Sequence, residues 1–327
     1  MRWVHRIFFA GGVALLLWVF LRLGPGEVLH HLSLIGWGWV FLIGLEGLGE
    51  FFHTMGWRRC MSGKCRELSW LKVGMIRQAG MSFNYLTPTA HMGGEVVKGV
   101  LLGALGDGVG ATASVIVGKL ALASAQLLFV SIGSFATLWM VSLPWGFVVI
   151  WVLSTACFSA GIGGFLWLQK RGKLGGIARA LERKGFGGRF VASAARWLTE
   201  VDRDLEAFHR ERPGDLYRAI LWHMVGFSMG ILQVELFLRW VVGSGSLGRA
   251  AIIWFLGAWF DLVGFMVPAG VGVQEGSRAL LFDLMGLKGA TGLAFGVVLR
   301  VTKGFWAVVG LVCYGLLARG GNWGRVG

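Results

Sequence analysis

Pro88-Thr89-Ala90-His91-Met92-Gly93-Gly94-Glu95-Val96-Val97-Lys98 is answered 180 residues later by Pro268-Ala269-Gly270-Val271-Gly272-Val273-Gln274-Glu275-Gly276-Ser277-Arg278. In each copy Glu follows Pro by seven residues and a cation follows it by ten. Glu and cation lie three apart, so they share one face of a helix. Both copies sit inside strongly apolar sequence, where a charge is costly and usually functional.

The surroundings are those of a bilayer protein. The chain is 55% hydrophobic, with 17 Trp and 54 Gly. Several apolar runs reach the roughly 18–20 residues that cross a membrane. The reading is all-α and polytopic, with full spans near 7–23, 34–55, 111–141, 147–168, 216–242 and 290–317. Arg2 and Arg6 precede the first run, and no small-residue cleavage site follows, so a retained helix is expected there. Two more apolar regions, 71–104 and 250–286, are each broken by one of the repeated prolines. The whole chain, 1–327, reads as one integral membrane domain.

The net charge of +14 does not point to nucleic acid, because most cations fall in short loops, where they set topology. Arg58, Arg59, Lys64, Arg66 and Lys72 occupy 56–72, and eleven Lys or Arg occupy 169–213. The segments 24–33, 143–146, 243–249 and 286–289 hold only Arg249 and Lys288. The positive-inside rule then places the first group and both termini in the cytoplasm. With that orientation 71–104 begins and ends inside, and 250–286 begins and ends outside. Their arms of about 16 and 12 residues in the first case are short for full spans at ~1.5 Å per residue. Two re-entrant helical hairpins entering from opposite faces are expected, in an inverted-topology repeat of about 34–141 and about 216–317. Such repeats carry their site where broken helices meet. Between them, 169–213 mixes cations with apolar residues such as Leu205 and Phe208. One or two amphipathic helices on the cytoplasmic surface, touching anionic headgroups, are expected.

The candidate site follows from the breaks. Pro88 with Gly93 and Gly94, and Pro268 with Gly270 and Gly272, free backbone amides and start new helices. Helix N-termini carry partial positive charge and open N–H donors. Lys98 and Arg278 add full charges, and Arg can grip a phosphate with two parallel bonds. Glu95 and Glu275 have three readings: neutralising the cation of their own motif, accepting a proton or an amine, or only locking the hairpin. Lys119 and Arg300 sit about three turns into the spans that follow the hairpins and are expected on the cavity wall. Asn84, beside Thr87 and Thr89, can cap freed backbone or touch a headgroup. His91 reads as a helix-entry residue. Glu46, Glu50 and His53 share a face, but no second His is placed to complete a metal site. Neither metal nor cofactor is expected. Arg77, Arg239 and Lys303 are expected to snorkel. The four cysteines, Cys60, Cys65, Cys157 and Cys313, read as packing thiols.

Asn84-Tyr85-Leu86-Thr87-Pro88-Thr89-Ala90 with Gly93-Gly94-Glu95 and Lys98 resembles the hallmark of the flippase-like membrane family. That family includes the transmembrane region of lysylphosphatidylglycerol synthases and members associated with hopanoid metabolism. The run from Pro268 to Glu275 is similar to its second hallmark. The resemblance implies a lipid-translocating domain with re-entrant helices in a bacterial inner membrane. The soluble aminoacyl-transferase domain of the synthases is not found before Gly327, so lysyl-lipid synthesis is not expected. The implied activity is translocation of a phosphate-bearing or zwitterionic lipid. The rival readings are an integral membrane lipid enzyme using Glu95, Glu275 or His91, and a lipid-binding scaffold. Expected partners are membrane lipids with anionic or zwitterionic headgroups; a second copy of the chain or a lipid-synthesis enzyme would also fit. No nucleotide-binding motif is visible.

Overall fold

The computed structural model describes residues 21, 25–86, 93–140, 144–171, 188–264 and 272–320. Within them are eleven α-helices, one short 3-10 turn and no strand. The helices are α1 (Pro25–Leu34), α2 (Gly38–Arg59), α3 (Trp70–Leu86), α4 (Gly93–Gly103), α5 (Gly108–Met140), α6 (Trp145–Lys170), α7 (Gly188–Glu211), α8 (Pro213–Val241), α9 (Leu247–Val263), α10 (Val273–Leu284) and α11 (Gly289–Gly320). The expected first span, 7–23, lies outside the described residues apart from Leu21.

Among the described residues four helices are long and apolar enough to cross a membrane: α5, α6, α8 and α11. The pair α1 and α2, bent by 81°, passes the same test only when taken together, as a broken span or a re-entrant loop. The bend falls at Gly36, whose φ of +52° favours a residue without Cβ. Helix α1 was not expected; the segment 24–33 reads from sequence as a plain connection, yet Lys288 Nζ holds Glu27 Oε1 at 2.7 Å. The described residues of 71–104 and of 250–286 form two helices each, and the spacing of their partners makes each pair antiparallel. Gly80 faces Lys98 and Asn84 faces Gly94, while Gly257 faces Arg278 and Gly264 faces Val273.

The helices pack reciprocally. α2 lies along α8, with Gly49 against Gly226 and Met229 near the middle of both. α11 lies along α3, and α5 along α9. Two apolar cores result. One gathers Trp57, Ile76, Leu102, Val117, Leu205 and Phe208 from α2 to α5 and α7. The other gathers Leu42, Phe237, Ile253, Phe282, Phe295 and Leu299 from α2 and α8 to α11. α6 is the least buried span, with Ile150, Val152 and Leu153 exposed. An apolar exterior of that kind suits a hydrocarbon surround.

The expectation for 169–213 is corrected in part. Residues 172–187 lie outside the described residues, and α7 is amphipathic as its sequence implies. Its stripe of Val201, Leu205 and Phe208, spaced four and three apart, is buried in the first core, so its apolar face packs on protein. The chain turns from α7 into α8 at Pro213, which suits a first helical position. There Arg212 donates to the Met61 carbonyl at 3.0 Å.

All four cysteines are free; Cys60 and Cys65 are buried, whereas Cys157 is exposed on α6 and does not pack. Burial, helped by the nearby Asp107 carboxylate, pushes the Cys65 thiol up to about 11. At pH 7 the thiolate fraction is then about one in ten thousand. Maleimide labelling of Cys65 in the native protein is therefore expected to be negligible at pH 7. Unfolding in denaturant should restore it; rapid native labelling would contradict this burial.

Candidate functional site

The site begins with the glycines that let α3 and α4 touch. A Cβ at Gly80 would meet Lys98 and the Gly94 carbonyl, and one at Gly94 would meet Gly80 and Asn84. Because both are glycine, Asn84 Oδ1 accepts the free Gly94 N–H at 2.7 Å. Asn84 thus caps the broken helix, the first of its two expected roles. Glu95, one residue on, is buried and receives Lys98 Nζ at 2.5 Å and Lys119 Nζ at 3.6 Å. Lys98 Nζ also lies 5.1 Å over the ring of Trp57. That ring is held by a 3.2 Å bond to the Ser114 carbonyl and by the absence of a side chain at Gly118.

These groups open on a cavity of about 590 Å³ between the helices. Glu46, Glu50, Glu95 and Asp261 line it with Arg77, Lys98, Lys119 and Lys303, so its formal charges balance. Two of these cations depart from expectation. Arg77 is buried and paired with Glu50, because α3 turns it inward towards α2. Lys303 faces the cavity. Only Arg239, 62% exposed and held by Glu235 at 2.7 Å, reaches outward as expected. Glu46 accepts from Gln233 Nε2 at 3.1 Å, and the same nitrogen donates to the Leu42 carbonyl at 3.0 Å.

The second motif is built differently. Gly272, at φ +79°, turns the chain into α10, and its N–H donates to Glu275 Oε2 at 2.9 Å. Glu275 Oε1 then receives Arg300 Nε at 2.5 Å. Arg278 is fully buried and makes two bonds to Asp261, of 2.7 and 3.2 Å, and one to the Gly257 carbonyl of 3.0 Å. The pairing of Glu275 with Arg278 that the three-residue spacing suggests is not made. α9 offers Asp261 to the guanidinium, and α11 offers Arg300 to the glutamate. Glu275, Arg278 and Arg300 do not line the cavity; Gln274 and Asp261 do. The structure therefore brings Asn84, Glu95, Lys98 and Lys119 together on one wall and sets Gly272, Glu275, Arg278 and Arg300 in a buried network beside it. Pro88, Pro268 and Gly270, with His91, lie outside the described residues.

Sequence reasoning did not find His223. It comes from α8 and meets His53 of α2, Nδ1 to Nδ1 at 2.9 Å. A helical face shared with Gly226 and Gly230 was its one signal. No cluster of three or more metal-ligating side chains occurs among the described residues.

Over residues 3–311 the chain matches the family model described as the lysylphosphatidylglycerol synthase TM region. Among curated proteins and among solved structures nothing matches it. With nearly its whole length inside that match and an all-helical, multi-pass architecture, the chain belongs to the lysylphosphatidylglycerol synthase TM region family.

Proposed function

We propose that this protein moves a phosphate-bearing or zwitterionic lipid across a bacterial inner membrane, holding the headgroup between two re-entrant hairpins. The observation that carries this reading is the charge-balanced cavity inside an apolar helical bundle. Ionisable groups at that depth are expensive unless they serve a polar cargo or a polar path. Of two cations that share one carboxylate, as Lys98 and Lys119 share Glu95, one can transfer its bond to a phosphate while the other stays with the glutamate. Both poles of a zwitterion find partners there. The apolar residues Leu45, Met81, Leu122 and Phe158, which also line the cavity, suit the start of the acyl chains.

An inverted repeat would give alternating access. On this reading each half is a span, a re-entrant hairpin and a span. The reciprocal packing of α5 on α9 and α11 on α3 is what a two-fold axis in the membrane plane requires. Rocking would occur at the glycine-rich crossing of α2 and α8, with both termini in the cytoplasm.

Reconstitution in phosphatidylcholine vesicles with tail-labelled phospholipids tests the proposal. Wild-type protein is expected to equilibrate the label between leaflets well above protein-free vesicles. Ala123 faces the cavity from α5, and Ala123→Trp, which fills part of it, is expected to lower the rate at least about tenfold, a barrier change of roughly 1.4 kcal/mol. Equal rates for the two proteins would remove the cavity from the path. Lipid masses before and after incubation separate a translocator, which changes only the leaflet, from a lipid-modifying enzyme.

A further inference from the structure

We infer that the His53–His223 pair is a proton-binding site that takes up one proton when a phosphodiester anion enters the cavity. This rests on the reading of the cavity as a headgroup site. The two rings are built into the crossing of the halves. A Cβ at Gly56 would meet the His223 ring, and a Cβ at Gly226 would meet the His53 ring. Each imidazole thus occupies a glycine notch of the opposite helix. Phe227 adds an edge-on contact to His53 at 4.8 Å between centroids. His53 is 8% exposed and His223 2%, and both line the cavity.

A contact of 2.9 Å between two Nδ1 atoms needs one proton between them. In the neutral pair one ring donates Nδ1–H, and that ring's Nε2 is a bare acceptor. His223 Nε2 is buried and has no hydrogen-bond partner among the described residues, as the bare nitrogen of such a pair would be. An added proton forms an N–H bond there, the pair becomes +1, and the Nδ1–H to Nδ1 bond survives. A second proton would place N–H on both Nδ1 atoms and abolish that bond, so the capacity is one.

Burial and the charged groups around the pair decide when it fills. Burial first disfavours a charged ring, and Arg77 from α3 and Lys98 from α4 line the same cavity as like charges. Glu46 and Glu50 on α2, Glu95 on α4, Lys119 on α5, Asp261 on α9 and Lys303 on α11 share its cavity. In the empty, charge-balanced cavity a further cation beside Arg77 and Lys98 is disfavoured. A bound anion reverses that balance, so proton and anion favour each other, and the coupling is reciprocal. The pair sits where α2 meets α8, so the site's charge state is felt at the contact between the halves.

The test is calorimetric titration of the detergent-solubilised full chain near pH 7 with dihexanoyl phosphatidylglycerol. It is repeated with dimethyl phosphate, in two phosphate-free buffers of different ionisation enthalpy. Neither phosphodiester titrates near pH 7, so the buffer dependence counts protons taken up by protein. Wild type is expected to take up protons on binding, at most one per lipid, and its apparent affinity to fall by up to about tenfold per pH unit as pH rises. Dimethyl phosphate with the same uptake would assign the linkage to the phosphodiester alone; lipid-only uptake would assign it to the chain-bearing headgroup. His53→Gln/His223→Gln is expected to lose the uptake, and His30→Gln, at an exposed histidine that does not line the cavity, to keep it. Binding without proton uptake, uptake surviving the double substitution, uptake lost in His30→Gln, or no binding of either probe would each overturn the inference. Where the His variants do not fold, the wild-type affinity decides: an affinity that does not fall as pH rises would overturn the inference as well. Vesicle translocation that proceeds without proton uptake would overturn this inference alone and leave the transport reading standing.

Discussion

Replacing Arg278 by Met is expected to destabilise the protein by about 3–5 kcal/mol, the usual cost of breaking a buried ion pair by removing one partner. Arg278 is 0% exposed, its guanidinium grips Asp261 with two bonds, and it also holds the Gly257 carbonyl at 3.0 Å. A Cβ at Gly257 would meet the guanidinium, so the two helices are fitted around this one side chain. Methionine has a similar length but returns none of these bonds and leaves Asp261 without its counter-charge. Asp261 is 28% exposed on its side chain, so hydration from the cavity brings the cost towards the lower figure. Thermal unfolding in detergent checks this. Arg278→Met/Asp261→Leu should recover much of the loss, because an apolar pair replaces the charged one. A single-variant loss below about 1 kcal/mol would mean that the pair is already solvated.

The second large effect separates the two glutamates that the repeated motif makes look equivalent. Glu95→Gln is expected to abolish most translocation with a smaller loss of stability. Glu275→Gln is expected to act mainly through stability. Glu95 faces the cavity and balances Lys98 and Lys119. Its neutral isostere leaves two cations that bind an anion more tightly but have no carboxylate to return to. Release becomes the slow step, and a drop of about a hundredfold corresponds to roughly 2.7 kcal/mol of barrier. Glu275 is 1% exposed, away from the cavity, and caps Gly272 while holding Arg300. Its replacement leaves a half-buried guanidinium underpaired. Paired measurements of vesicle translocation and thermal midpoint distinguish the cases. Equal translocation losses at equal stability would mean that the two motifs share one site after all.

Much of this architecture was legible because apolar length and breaks are local signals. The helices α5, α6, α8 and α11 fall within a few residues of the expected spans, since a run of that length has few other stable fates. α3 and α4, and α9 and α10, flank Pro88 and Pro268, which lie outside the described residues. Of the two cations expected on the cavity wall, Lys119 lines it and Arg300 does not, and each meets the glutamate of its own half, at 3.6 and 2.5 Å. That contact follows from a helix succeeding its hairpin in the chain. The short helix α1 was missed because ten residues with little hydrophobic bias carry no strong period.

What the chain alone determined was its class: an all-helical, multi-pass membrane bundle with too many charges in apolar sequence to lack a polar interior. Burial cost depends on the residue and its apolar neighbours in sequence, so it can be read without a partner. Which charge meets which was decided only by the fold. The matched motifs suggest matched pairs, yet Asp261 on α9 takes Arg278, whereas the corresponding place before the first break is Met81, and Lys98 stays with Glu95. His53 and His223 meet across 170 residues of chain. Ion pairing and hydrogen bonding act over a few ångströms, and only packing brings separate helices within that range.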